Sequence, residues 1–140
     1  MKKILMALLV LASLAQAAQS ETLYKRIGGY DAIAALSRDF HLRLKADPQL
    51  GRFWAHRGTD GMERELQLLV DFICARTGGP THYPGRDMGT THIGMKINDS
   101  DWTIFMKHLQ DSLDKFKVKA PEQKEVIKFI QSLKSAIVEK

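Results

Sequence analysis

Hydrophobic positions recur every three or four residues in four long segments of the chain, and this spacing is typical of amphipathic α-helices. The four apolar stripes are Ile33, Leu36, Phe40 and Leu44; Met62, Leu66, Leu69 and Ile73; Trp102, Phe105, Met106, Leu109, Leu113 and Phe116; and Val126, Phe129, Ile130, Leu133 and Ile137. No stretch alternates apolar and polar residues cleanly enough to indicate a strand. The pattern therefore predicts an all-α fold.

Turn-forming and capping residues predict where these helices begin and end. The first helix should cover residues 30–46 and stop at Asp47-Pro48, because the residue before a proline is pushed out of the helical region. Gly78-Gly79-Pro80 should stop the second helix. The residues expected to open the second, third and last helices are Thr59 or Asp60, Asn98 or Ser100, and Pro121.

Residues 78–98 differ from the rest of the chain, because they hold five glycines and two prolines but little helical periodicity. We predict a long loop here, with one short helix around residues 88–93. A loop of this length inside a compact domain usually serves function. The segment is therefore the first place to look for a binding site.

Composition and charge narrow the classes of protein. With 140 residues, 44% of them hydrophobic and 26% charged, the chain fits one compact domain. The net charge of +5 is spread along the chain, so no nucleic acid partner is expected. Cys74 is the single cysteine, which excludes an internal disulfide and any site needing several thiolates. Metal chemistry would have to come from the five histidines.

Residues 1–17 read as a secretory signal peptide. Lys2 and Lys3 precede an apolar run, and Ala15-Gln16-Ala17 forms a small-x-small cleavage site. The run is too short to span a bilayer comfortably, so no stable membrane insertion is expected after cleavage; an uncleaved anchor is the alternative. We therefore predict a single domain over residues 18–140 of a periplasmic or secreted protein.

Large aromatic and sulfur-containing side chains are frequent on the predicted helices, where they can either fill a core or line a pocket for a flat ligand. The order of several short motifs is more specific. These are Leu23-Tyr24-Lys25-Arg26-Ile27-Gly28-Gly29, Asp39-Phe40, Ala46-Asp47-Pro48-Gln49-Leu50 with Phe53-Trp54, and GGPTHYPGRDMGTTHIGMKIND at residues 78–99. Together they resemble the truncated haemoglobins of group 1. The resemblance implies a two-over-two sandwich of helices around a non-covalently held haem b.

The resemblance places two histidines at the haem iron. His92 matches the proximal histidine, the axial ligand of the iron, and a neutral imidazole suits that role. His41 stands where relatives usually carry a tyrosine that donates a hydrogen bond to the bound gas. The His41 ring can donate such a bond, bind the iron itself, or pack at the edge of the core with a backbone partner.

Other candidate pocket residues follow from the same match. Glu65 and Leu69 fall at two distal positions where many relatives have glutamine, and we expect Glu65 to be a solvated carboxylate at the pocket mouth. Trp54 falls where an aromatic ring packs on the haem, and Tyr83 and Arg86 lie in the proximal loop, where Arg86 could pair with a propionate. The remaining lining residues are Phe40, Phe72, Ile73, Met88, Trp102 and Phe105.

The other titratable side chains are expected to play no part. His56, His82 and His108 read as surface residues, although His56 lies in a loop of uncertain register and is an alternative distal group. Cys74 points away from the main apolar stripe of its helix and should be buried and inert.

The sequence leaves three functions to compare. The first is an exported haem protein that binds a diatomic gas, oxygen foremost, with nitric oxide or carbon monoxide as further ligands. Nitric oxide dioxygenation would need an unidentified reductant, and the sequence contains no reductase domain, so enzyme activity stays undecided. The second is a six-coordinate haem with both His92 and His41 on iron, for electron transfer or for redox or gas sensing. The third is a helical interaction module without a cofactor.

Overall fold

The computed structural model describes residues 21–139, in which all regular structure is helical and no strand occurs. The helices are α1 (Leu23–Ile27), α2 (Gly29–Ala46), a 3-10 helix (Leu50–Trp54), α3 (Thr59–Arg76), α4 (Met88–His92), α5 (Asp99–Lys115), α6 (Ala120–Gln131) and α7 (Lys134–Ile137). The all-α prediction is confirmed. The predicted signal peptide lies outside the described residues, and no helix within residues 21–139 has the length and apolar character needed to cross a membrane.

The sandwich consists of two helix pairs, α2 with α3 and α5 with α6, and the contact between α2 and α5 joins them. Helix α2 packs against both α3 and α5, and α5 packs in turn on α6. The larger core lies between α2, α5 and α6, where Phe40, Leu44, Leu113 and Ile130 are buried. A smaller cluster of Ile33, Val70 and Cys74 fills the space between α2 and α3. The stripe predicted on α2 lies at these contacts, whereas on α3 the buried residues are Val70, Phe72 and Cys74 and the predicted stripe is only half-buried.

The helices α3, α5 and α6 begin close to the residues predicted to open them. Asn98 caps α5 in a capping box, in which its side chain accepts from the Asp101 amide while the Asp101 carboxylate accepts from the Asn98 amide. Pro121 lies in the first turn of α6, as expected. The prediction for α3 is wrong in one respect, because Gly58 is the N-cap residue and no side chain caps the helix.

The last helix is not continuous, which corrects the sequence prediction. Helix α6 ends at Gln131, and Ser132 turns back to donate its hydroxyl to the Phe129 carbonyl oxygen at 2.6 Å. The short α7 follows and packs against α4. Because α6 ends at Gln131, the separate helix α7 packs against the short helix that carries His92.

A buried carboxylate fixes the 3-10 helix against α5. Asp101 is 1% exposed, and it accepts hydrogen bonds from Arg52 at 2.6 and 2.9 Å and from the Gln49 side-chain amide at 2.6 Å. These charge-assisted bonds tie the segment after α2 to the start of α5. They thereby hold Trp54, the last residue of the 3-10 helix, in place.

Candidate functional site

The proximal loop presents His92 at the end of a short, well-capped helix. Asp87 caps α4 by accepting from the Thr90 amide at 2.9 Å and from the Thr90 hydroxyl at 2.6 Å. Gly94 ends the turn in the left-handed region, with φ of +81°, a conformation that favours glycine. The short helix that carries the half-buried His92 therefore begins at a side-chain cap and is followed by a glycine turn.

One ring nitrogen of His92 already has a hydrogen-bond partner. Its Nδ1 atom lies 2.8 Å from the Met88 carbonyl oxygen, one helical turn earlier. A carbonyl accepts only, so this bond places the proton on Nδ1 and leaves the lone pair of Nε2 free. A histidine that ligates a metal almost always makes such a bond with its other nitrogen. His92 is thus prepared to act as a metal ligand.

Helix α2 carries the second candidate histidine, His41, into the interior. The His41 side chain is 7% exposed, and its Nε2 atom is buried without any hydrogen-bond partner. Its ring stands edge-on to Trp54, with the ring centroids 5.7 Å apart. Because an unmet buried polar atom costs about 1–3 kcal/mol, this nitrogen is suited to bind something that enters the pocket.

The Glu65 side chain is 31% exposed, and both of its carboxylate oxygens are bound by neighbouring side chains, so the carboxylate is only partly solvated. One carboxylate oxygen accepts from the Trp54 indole at 3.0 Å, and the other accepts from Arg57 at 2.8 Å. The first oxygen also lies 3.8 Å from the His41 Nε2 atom, too far for a hydrogen bond. Burial opposes ionisation, but His41, Arg57 and Trp54 together outweigh it and hold the pKa of Glu65 below its usual value.

Aromatic rings pack together between α2, which carries His41, and α5. Phe105 meets the edge of Phe40 at 5.0 Å between centroids and stacks on Trp102 at 5.2 Å. Phe40 and Trp102 are buried, and the Trp102 indole donates to the Gln131 side chain at 3.1 Å. Four more predicted lining residues keep part of their surface accessible: Trp54, Leu69, Ile73 and Met88.

The structure brings Phe72 and Tyr83 together. Phe72 is buried against the edge of the Tyr83 ring at 5.1 Å. The Tyr83 hydroxyl donates to the Arg86 carbonyl oxygen at 2.9 Å, which closes the loop before α4. The Arg86 side chain is exposed. Tyr83 therefore shapes the proximal loop, and the pairing of Arg86 with a propionate stays a prediction.

The remaining histidines and Cys74 mostly follow the sequence predictions. His56 and His82 are exposed, and Cys74 is fully buried. His108 is the exception, because its Nε2 atom lies 2.9 Å from the Asp47 carboxylate and its side chain is 18% exposed. It joins α5 to the end of α2 and is not a surface residue.

Sequence reasoning missed two residues that build the site. Arg57 lies in the loop before α3, where no periodicity fixed its position, so its bond to Glu65 had no signal in the sequence. Asp87 had a signal, because aspartate is a preferred N-cap residue at the start of a helix.

The residues present fit a flat, iron-containing macrocycle. His92 offers a free Nε2 lone pair, and the buried Nε2 atom of His41 lacks a partner. The half-buried apolar residues Leu69, Ile73 and Phe105 provide the nonpolar surface that such a group needs. The donor set is one imidazole, which suits haem iron.

Comparison with known proteins agrees with this geometry. A family model described as bacterial-like globin matches residues 22–139. A group 1 truncated haemoglobin from Nostoc sp. strain MUN 8820 is 33% identical over 119 residues, which cover 85% of this chain and 98% of that protein. A group 1 truncated haemoglobin from Mycolicibacterium paratuberculosis is 35% identical over 96 residues, which cover 69% of this chain and 68% of that protein.

Solved structures give the same result. The Fe(III) form of the Tetrahymena pyriformis truncated haemoglobin has a TM-score of 0.78 at 27% identity and covers 86% of this chain and 100% of that one. The haemoglobin of Chloroflexus aurantiacus, with a TM-score of 0.76 and 20% identity over 86% of this chain and 100% of that one, shows the fold alone. Proteins of this family hold haem and bind small gases at it. The chain belongs to the bacterial-like globins and, among them, to the group 1 truncated haemoglobins.

Proposed function

We propose that this chain is an exported haem b protein that binds a diatomic gas reversibly, with oxygen as the foremost ligand and His92 as the axial ligand of the iron. The observation that carries the proposal is the bond between His92 Nδ1 and the Met88 carbonyl oxygen, which leaves Nε2 as a lone-pair donor. Export rests on the charged start, apolar run and cleavage site of residues 1–17.

The residues of this chain divide the work between two sides of the site. When bound, haem supplies the iron that takes the gas as a ligand. His92 would hold the group through its Nε2 atom, and the Asp87 cap stabilises the first turn of α4. The His41 ring, buried on the distal side, offers an N–H that can donate to a polar ligand. Phe40 and Phe105, which pack edge to face, would exclude water from the apolar part of the site.

A second function is favoured by the His41 Nε2 atom, which is buried and without a hydrogen-bond partner. If this nitrogen instead binds the iron, both axial positions are taken by histidine, and the protein serves electron transfer or redox or gas sensing. Nitric oxide dioxygenation is a further use of the first function and requires a separate reductant. The two functions predict different spectra.

Absorbance spectra of the purified protein test the proposal. We expect a ferrous, ligand-free form that is five-coordinate and high-spin, and that forms a carbon monoxide complex. A six-coordinate, low-spin ferrous form would favour the second function. Protein that binds no haem would contradict both.

His92→Ala tests the axial ligand. We expect this variant to lose most of its haem, because the axial bond is the one strong attachment of a cofactor held without covalent links. His82→Ala, which removes an exposed histidine of the same loop, is the matched control and should retain haem. A Soret band in His92→Ala unchanged from that of the control would show that another residue ligates the iron.

A further inference from the structure

We propose that Glu65, fixed between Trp54 and Arg57, positions His41 and makes the distal pocket discriminate against anionic ligands. This inference rests on the proposed function, because it assumes that His41 faces the gas. It assigns the selectivity of the pocket to three residues outside the pair of histidines.

The three residues come from three consecutive segments of the chain and meet at the Glu65 carboxylate. Trp54 ends the 3-10 helix, Arg57 lies in the following loop and Glu65 lies in the second turn of α3. The indole and the guanidinium each bind a different oxygen of Glu65, at 3.0 and 2.8 Å. With both oxygens held, the carboxylate has little freedom to rotate away.

The anchoring extends beyond the carboxylate itself. The 3-10 helix that supplies Trp54 is tied to α5 through Arg52 and the buried Asp101. The indole also stands edge-on to the His41 ring. Trp54 therefore contacts both Glu65 and His41 and sets the distance between them.

The position of Glu65 determines what His41 can do. The Glu65 oxygen that accepts from Trp54 lies 3.8 Å from the His41 Nε2 atom, and this nitrogen has no hydrogen-bond partner in the structure. At this distance the carboxylate attracts an Nε2–H group and repels an Nε2 lone pair, so the neutral tautomer with its N–H toward Glu65 is favoured. Glu65 is therefore a positioning residue that keeps His41 as a donor.

The same charge acts on the ligand. A carboxylate beside the distal ring repels an incoming anion and leaves a neutral diatomic gas almost unaffected, because the interaction scales with the charge of the ligand. Arg57 binds the outer oxygen and offsets part of this repulsion. Removing Glu65 or Arg57 should thus change anion binding in opposite directions, which loss of packing alone would not do.

Azide binding to the ferric holoprotein is the experiment. At one pH and salt concentration, we expect Glu65→Gln, which keeps an acceptor oxygen for Trp54, to bind azide about tenfold more tightly. Arg57→Ala should bind azide about threefold more weakly. Arg64→Ala removes an exposed cation next to Glu65 in the sequence and should behave as the unmodified protein.

A second readout follows the positioning role directly. In the carbon monoxide complex, the C–O stretching frequency reports the polarity around the ligand. We expect Glu65→Leu to shift this frequency in the same direction as His41→Leu, and Glu65→Gln to restore part of the shift. The indole N–H resonance of Trp54, assigned with Trp54→Phe, should move in Glu65→Leu because its acceptor is lost.

The outcomes separate this inference from the proposed function. Protein without haem or without a carbon monoxide complex would contradict the proposed function. A normal complex in which His41→Leu shifts the C–O frequency but Glu65→Leu does not would overturn only the role of Glu65. Equal azide affinities in Glu65→Gln, Arg57→Ala and the unmodified protein would overturn it as well. If a Glu65 variant fails to fold, the Arg57→Ala result decides.

Discussion

The two histidines of the site differ in the bonds of their ring nitrogens. The Nδ1–H group of His92 donates to the Met88 carbonyl oxygen, and this bond within one helical turn fixes the ring tautomer. His41 has a buried Nε2 atom without a partner, 3.8 Å from a Glu65 oxygen. A fixed tautomer suits a permanent ligand of the iron, whereas a buried polar atom without a hydrogen bond suits a ligand that binds reversibly.

Replacing His41 with leucine tests its role as a donor. The variant should lose a hydrogen bond to a charge-bearing acceptor, worth about 1.5–3 kcal/mol, so oxygen release should become roughly 10- to 150-fold faster. Release of carbon monoxide, which is less polar when bound, should change far less. Stopped-flow measurement of both gases checks this prediction, with His56→Leu as a control at an exposed histidine.

Three other results of that experiment have distinct meanings. Faster carbon monoxide association together with a high-spin ferrous spectrum would mean that His41 binds the iron in the unmodified protein. No change in either gas would mean that His41 faces away from the pocket. An effect of His56→Leu as large as that of His41→Leu would move the distal role to the loop.

At the scale of elements, the contact between the 3-10 helix and α5 depends on one buried carboxylate. Asp101 caps the first turn of α5 through the Asn98 amide and also binds Arg52 and Gln49. These bonds hold the pKa of Asp101 at about 2, with the bond to Arg52 as the largest cause. The ionised form of this side chain therefore stabilises the fold.

The stability that Asp101 contributes should depend on pH. Because its pKa falls on folding, the contribution is complete above the unfolded value of about 3.9 and is lost as the pH falls through about 2. We expect Asp101→Asn to lower the free energy of unfolding by about 1–2 kcal/mol near pH 6, since Arg52 is half exposed and solvent screens the pair.

Thermal unfolding followed by helix circular dichroism checks this prediction at several pH values. The difference between Asp101→Asn and the unmodified protein should be largest at pH 5 to 7 and should shrink toward pH 2. Asp39, whose pKa also lies near 2, is present in both proteins and cancels in the comparison. A difference that stays constant with pH would assign the loss to packing and not to charge.

At the scale of the whole molecule, the position of helix α4, which carries His92, depends on its packing against α7. Helix α4 is only five residues long, and an isolated helix of this length would not persist in water. Its support comes from α7, which exists because α6 stops at Gln131. The last segment of the chain thus holds the residue proposed as the iron ligand.

Deletion of residues 1–17 tests both export and the extent of the folded domain. We expect the shortened protein to fold and bind haem, since the site is built entirely from residues 21–139, but to remain in the cytoplasm. Cell fractionation and the Soret absorbance of each fraction check this. Full-length protein that stays uncleaved in the membrane fraction would show that residues 1–17 form an anchor.

Much of the site could be predicted because its residues belong to motifs with a local signal. His92, Met88 and Gly94 lie within one loop of unusual composition, and Phe40 and Trp102 lie on apolar stripes. Glu65 was placed on the correct helix, but its bonds to Trp54 and Arg57 were not predicted. Its partners Trp54 and Arg57 are 11 and 8 residues away across a loop, and helical spacing does not predict such contacts.

The sequence by itself determined the helical class, most helix boundaries and the residue types available for haem chemistry. These follow from periodicity, capping and proline or glycine positions, which act over a few residues. Only the tertiary structure decided that α6 breaks before α7, that His108 binds Asp47, and that Trp54 and Arg57 hold Glu65 beside His41. Such contacts depend on how helices pack side by side, and packing brings together side chains that no local pattern relates.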